Sequence, residues 1–188
     1  MKPLLILAAI LALAACKDED AAPPAPSLMT DEALGHYCQM FIADHPGPKA
    51  QVHLDGYQEP VWFSQVSDAI AYLHDPEKVA PISVIYVSDM AAADDWALPG
   101  ASNWIAADDA LFVIESRRLG GMGVPEAIPF GTKTAAEDFI ATEGGRIVGW
   151  NDVPEAYVRP QFGAPAEEDP MTAPGETPHH HGAGEDVK

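Results

Sequence analysis

The sequence predicts an α+β fold made of two similar strand-strand-helix-strand halves, and three observations lead there. Short alternating or continuous apolar runs occur twice in the order strand, strand, helix, strand, over about residues 35–92 and 105–155. In each half an aromatic follows another nine residues on, Phe63 to Tyr72 and Phe130 to Phe139, as an internal duplication would leave. Both ends of the chain lack such patterning, which leaves residues 35–161 as the globular region. That length suits one domain, or two small halves sharing a core.

Met1-Lys2 supplies a short positive segment, residues 3–13 an apolar one, and Leu13-Ala14-Ala15-Cys16 a small-residue cleavage site. This predicts a bacterial secretory signal over residues 1–15 rather than a membrane span, because the apolar run falls well short of the roughly 20 residues a spanning helix needs. The Leu-Ala-Ala-Cys ending resembles the lipobox of bacterial lipoproteins, in which the Cys receives a diacylglyceryl group and becomes the new N-terminus. Cys16 is therefore the expected lipidation site. Residues 16–34, with Ala21-Ala22-Pro23-Pro24-Ala25-Pro26, read as a tether favouring an extended spacer of about 3.1 Å per residue.

In the first half, residues 49–54 alternate as a strand, Gly56 supplies a turn, and Pro60-Val61-Trp62-Phe63 returns as the partner strand. Ser67 caps a helix over 68–74 whose Ile70 and Leu73 share an inward face and which Pro76 ends; residues 82–87 are a buried strand. In the second half, 110–115 and 127–130 are strands, 134–142 a helix ended by Gly144-Gly145, and 146–150 the last strand. Trp96 and Trp104, among Asp94, Asp95, Pro99 and Gly100, read as core-filling anchors of the loop between the halves. Residues 162–188 are rich in Pro, Gly, Ala and acid, which predicts a disordered acidic tail carrying the run His179-His180-His181.

The formal charge of −19 makes nucleic acid a poor partner. Of the two cysteines, lipidation uses Cys16, so Cys38 has no partner for a disulfide within the chain. In an oxidising compartment an unpaired thiol is either buried and inert or kept for metal binding or reaction. If His36-Tyr37-Cys38-Gln39-Met40 is extended, an imidazole, a thiol and a thioether share one face. Soft sulfur ligands of that kind select Cu(I). The plainer alternative is that Cys38 and Met40 are hydrophobes entering a core.

A second thioether, Met122, sits in Gly120-Gly121-Met122-Gly123, where glycines let the backbone approach closely and leave the side chain exposed. Met90 continues an apolar strand and belongs to packing. His53 points away from Val52 and Leu54, toward solvent or a site. His45 and His74 read as surface residues, and the tail's His run as a loose accessory metal binder.

Taken together, the lipobox, Cys38-Gln39-Met40, Phe63-Ser64 before a helix, Tyr86-Val87-Ser88-Asp89, the run Ala-Asp-Asp-Ala-Leu-Phe-Val-Ile-Glu-Ser at 107–116, Gly121-Met122-Gly123 and Gly144-Gly145-Arg146-Ile147 resemble the NosL family. These are bacterial copper-binding lipoproteins, and the resemblance covers about residues 36–153. It implies a duplicated fold, also likened to part of organomercurial lyase, and no enzyme activity. It also implies transiently bound Cu(I), delivered for assembly of the copper-sulfide centre of nitrous oxide reductase. The partners implied are that reductase, its membrane-bound maturation machinery, and the membrane itself through the N-terminal lipid. The anchor would face the periplasm, and Lys17 after the lipidated Cys is compatible with outer-membrane sorting.

Carried over residue by residue, the family's copper ligands fall on Cys38, Met40 and Met122, completed by His36 or His53. Many relatives carry Cys-X-X-Cys-Gly-Met, whereas here Gly35 stands at the first Cys and Gln39 at the Gly. Two-thiolate binding within one monomer is thereby excluded, and a single thiolate with thioethers would hold Cu(I) less tightly and yield it more readily. Two other functions compete with this one. Cys38 can serve as the nucleophile of a thiol-dependent enzyme with His36 or His53 as base, or the chain can be a structural lipoprotein without metal.

Overall fold

The computed structural model describes residues 22–158; the leader, Cys16 and the tail with its His run lie outside the described residues. The first half runs β1 (Ala50–Leu54), β2 (Val61–Phe63), α1 (Val66–Leu73) and β3 (Ile82–Ser88). After β4 (Trp104–Ala106) the second half runs β5 (Leu111–Ile114), β6 (Ile128–Phe130), α2 (Lys133–Glu143) and β7 (Arg146–Gly149), and α3 (Glu155–Val158) follows. Every element expected from the sequence is present, with ends displaced by no more than two residues.

All strand pairings are antiparallel, in one sheet of order β2-β1-β3-β4 and another of order β6-β5-β7. In both halves the first strand lies in the middle with its hairpin partner on one side and the strand after the helix on the other. The nine-residue aromatic spacing has the same outcome twice. Phe63 meets Tyr72 with ring centroids 5.4 Å apart and Phe130 meets Phe139 at 5.2 Å, both pairs inclined at 48°. In each pair a strand-end aromatic packs on the helix that follows it, at a centroid distance favourable for tilted rings.

Alternation along the strands decides which side faces which core. Ala50, Val52 and Leu54 of β1 join Phe63, Val66 and Ile70 in a main core that also takes Phe112 and Ile114 of β5 and Trp150, so both halves share it. Val113, on the other face of β5, packs with Ile128, Phe130 and Ala136 under α2, which explains the uninterrupted apolar run Leu111-Phe112-Val113-Ile114. Met90 and Trp96 lie against this second cluster, as packing residues.

Three local expectations are corrected. Trp104 does not anchor a loop: Trp104-Ile105-Ala106 adds an edge strand to β3, and the Trp104 ring packs 5.8 Å from that of Trp62. Ser67 does not cap α1, which begins one residue before it. The donors of the first turn are met instead by the carboxylate of Glu126 from the other half, which accepts from the amides of Val66 at 3.2 Å and Ser67 at 2.8 Å. Residues 24–29, read as tether, lie against the first sheet: Ser27 exchanges two hydrogen bonds with the Gln51 side chain, Tyr86 donates to the Pro24 carbonyl, and Met29 donates to that of Ala101. Among the described residues no helix is long and apolar enough to cross a membrane.

Candidate metal centre

The segment holding Cys38 is a turn and not an extended strand. Leu34 pairs with Phe41, the Gly35 amide donates to the Met40 carbonyl, and the Gln39 amide donates back to that of Gly35, both at 2.9 Å. Closing so short a loop puts Gln39 in the left-handed region, at φ 56°. The alternation argument therefore fails here, and His36, Cys38 and Met40 do not share a face. Cys38 turns inward, its Sγ 3.1 Å from Ser64 Oγ at the end of β2. Met40 goes the other way, into a shallow groove with Leu34, Gln39, Phe41, Asp44 and His45.

The larger cleft, about 650 Å³, lies between the Cys38 turn, α1, the loop before β6, and α3. Cys38 and Met122 both line it, together with Tyr37, Gln65, Asp68 and Tyr157. Met122 rides a tight loop in which Gly120 donates to the Val124 carbonyl and Gly123 to that of Gly120, each at 2.9 Å. Glycine is needed at 121 for space, since a Cβ there would run into the Pro46 carbonyl. The loop is thus clamped from behind while Met122 remains 39% exposed, lining the cleft. Pro46 and Gly47 are held in turn by the buried ammonium of Lys49, which donates to both carbonyls.

Two carboxyls sit in or under the cleft wall. Burial pushes Asp68 up to about 6, and burial pushes Glu126 up to about 7 against the hydrogen bonds it accepts from the Ser67 and Ala127 amides. Burial also lowers Lys49 to about 8, opposed by the charge of Glu126. Among the described residues no three His, Cys, Asp or Glu side chains gather closely enough to hold a metal ion, and Cys38 is the free cysteine. Beside the Asp68 and Asp75 carboxyls of its lining, the soft donors the cleft offers are one thiol and one thioether, a pair suited to a soft, monovalent metal.

Residues 26–158 match the family model described as NosL. The chain belongs to the NosL family. It is 52% identical over 155 residues to the copper-binding lipoprotein NosL of Achromobacter cycloclastes, covering 82% of this chain and 80% of that one. Its identity to the protein of the same name from Stutzerimonas stutzeri is 28% over 159 residues, covering 82% and 81%. The fold matches the crystal structure of the copper chaperone NosL from Shewanella denitrificans with a TM-score of 0.66 at 32% identity, over 71% of this chain and 99% of that one. These relatives are named as copper-binding and chaperone proteins, not as enzymes.

Within this NosL chain the histidines sort differently from the sequence expectation. His53 is 2% exposed, its Nε2 2.8 Å from Gln51 Oε1, and the chain segment at Ser27 lies over that Gln51 side chain. Burial lowers its pKa, and it faces neither solvent nor the cleft. His36 is exposed and stands among aromatic rings, 5.0 Å from Tyr37, 5.2 Å from Tyr72 and 5.7 Å from Phe63, beside the cleft rather than in its lining. His45 is not a plain surface residue: its Nε2 is the buried side-chain polar atom without a hydrogen-bond partner among the described residues. Gln65 and Ser64, which touch the Met122 loop and Cys38, are site residues that the sequence does not announce, because their partners lie 57 and 26 residues away.

Proposed function

We propose that this chain is a lipid-anchored, periplasm-facing protein that binds Cu(I) and hands it on for assembly of the copper-sulfide centre of nitrous oxide reductase, at its membrane-bound maturation machinery. The observation that carries the copper site is that Cys38 and Met122, from different halves of the fold, line one solvent-open cleft. The names of the relatives support copper as the cargo. A thiolate and a thioether leave Cu(I) under-coordinated, so an incoming ligand can bind before these leave, and the metal passes on without being released free. Protons compete for the thiolate, so affinity falls as pH drops. Met40 serves the neighbouring groove in this conformation and is not placed with the pair. The lipid on Cys16 keeps the donor at the membrane, and the acidic surface favours a basic docking face on the recipient.

The test is an anaerobic Cu(I) titration of the leaderless, tag-free chain against a chromophoric Cu(I) chelator. One equivalent is expected to bind tightly, with affinity falling on the order of 100-fold in Cys38→Ser and about 10-fold in Met122→Leu, as for loss of metal ligands or their close support. Deleting residues 163–188 is expected to leave the tight component intact. Tight binding that survives Cys38→Ser rejects the site, and a parent chain that binds no Cu(I) points to the structural lipoprotein.

A further inference from the structure

We propose that the adjacent residues Ser64 and Gln65 are positioning residues that set the two sulfur donors against each other, Ser64 holding the Cys38 sulfur and Gln65 the Met122 backbone. The inference rests on the Cys38 and Met122 reading above. Both residues are fully buried, 1% and 2% exposed, at the junction of β2 and α1. Backbone at Gln65 is extended, φ −139° and ψ 147°, so successive side chains leave on opposite sides. One reaches the turn of the first half and the other the loop of the second.

On the first side, Ser64 Oγ lies 3.1 Å from Cys38 Sγ. The absence of a side chain at Gly35 makes that approach possible, since a Cβ there would stand 2.5 Å from the sulfur and 2.9 Å from the hydroxyl. A hydroxyl is a rotor that both accepts and donates. The hydroxyl can therefore accept from the sulfur or donate to it, and in either role it fixes where the sulfur sits.

On the second side, Gln65 Oε1 accepts the Met122 amide at 2.9 Å, while its Nε2 faces Ser67 Oγ at 3.4 Å and fixes which way the amide points. The same junction in the second half shows what this arrangement replaces. There Gly131 and Thr132 precede α2, and the Thr132 hydroxyl caps its own helix by accepting from Ala135. Gln65 gives α1 no side-chain cap; its acceptor serves Met122, and Glu126 takes over at the helix start. A local rule abandoned in one copy of a duplicated junction, and compensated from elsewhere, is where function is expected.

The experiment compares Ser64→Ala, Ser64→Thr and Gln65→Met in the leaderless chain with three readouts: thermal stability, Cu(I) affinity, and the Cys38 side-chain rotamer read from NMR couplings in the metal-free protein at one pH. Ser64→Ala is expected to let the Cys38 rotamer average and to weaken Cu(I) about 10-fold, with Ser64→Thr restoring both. Gln65→Met is expected to weaken Cu(I) similarly while leaving the Cys38 rotamer in place. In the parent protein, the Met122 amide is expected to be protected from hydrogen exchange although its side chain is exposed, a measurement that needs no variant. A Cys38 rotamer that stays fixed in Ser64→Ala overturns the role of Ser64, and a freely exchanging Met122 amide overturns that of Gln65. Because rotamer and exchange are read without metal, they separate failure of this inference from failure of the copper site, which Cys38→Ser reports.

Discussion

Gly35 and Gln39 bracket the Cys38 turn with opposite requirements. Gly35 is needed for room, because a Cβ would press on both Cys38 Sγ and Ser64 Oγ. Gln39 holds a backbone conformation, φ 56°, that glycine adopts freely and a side chain resists, with its own amide donating to the His36 carbonyl at 2.6 Å as partial compensation. Gly35→Ala is therefore expected to lose about 1–3 kcal/mol and to weaken Cu(I) binding by displacing the thiol. Gln39→Gly is expected to gain up to about 1 kcal/mol, less what the lost side-chain bond contributed. Urea denaturation of the two variants checks the signs, and two changes of the same sign would refute this account of the turn. The resemblance had already placed a glycine at position 39. The residues alone did not reveal the turn, because nothing in a Gln announces a positive φ, and alternation presumes the extended backbone that it is used to infer.

At the level of elements, the duplicated order was legible because apolar period and aromatic spacing are local signals, and both Phe63 with Tyr72 and Phe130 with Phe139 meet as spaced. What was not legible is non-local. β4 has three residues, too few to show a period, and exists through its pairing with β3. The polar contacts that tie the halves come from far along the chain: Glu126 serves the start of α1 across 60 residues, and Asp89 accepts from the Gly131 amide across 42. The two aromatic pairs also differ in what else they touch. His36 and Tyr37 each stack 5.7 Å from Phe63, so the first pair supports the cleft as well as the core. Phe63→Leu and Phe130→Leu are each expected to lose on the order of 1–2 kcal/mol, but only Phe63→Leu should also weaken Cu(I). Chemical denaturation with Cu(I) titration of the folded variants separates the two, and equal copper affinities would show that the Phe63 rings do not shape the site.

Over the whole molecule the buried ionisable groups run against the pH dependence expected of the proposed copper site. Asp68 and Glu126, raised from 3.8 to about 6 and from 4.5 to about 7, bind more protons folded than unfolded across those intervals, so stability falls as pH rises through them. His53, lowered from 6.5, works the other way, since the unfolded state takes its proton first and stability rises toward pH 6.5. Lys49, lowered from 10.5 to about 8, adds stability with rising pH only above about 8. Two carboxyls against one imidazole, on a chain of formal charge −19 whose self-repulsion grows as acids ionise, give a net loss between pH 5 and 7. At the proposed site, Cu(I) displaces a proton from a thiol, so its binding is expected to strengthen over the same interval, and a ligand that binds only the folded state stabilises it by its affinity. The metal-free Tm is accordingly expected to fall from pH 5 to 7.5 while the increment on adding one equivalent of Cu(I) grows. Glu126→Gln removes the larger titration beneath the cleft without touching either sulfur, so it should flatten the metal-free slope and leave the increment unchanged. A metal-free Tm that rises over this range would mean that the buried carboxyls are not held protonated by the fold. An increment that shrinks would count against a cysteine thiolate as the copper ligand.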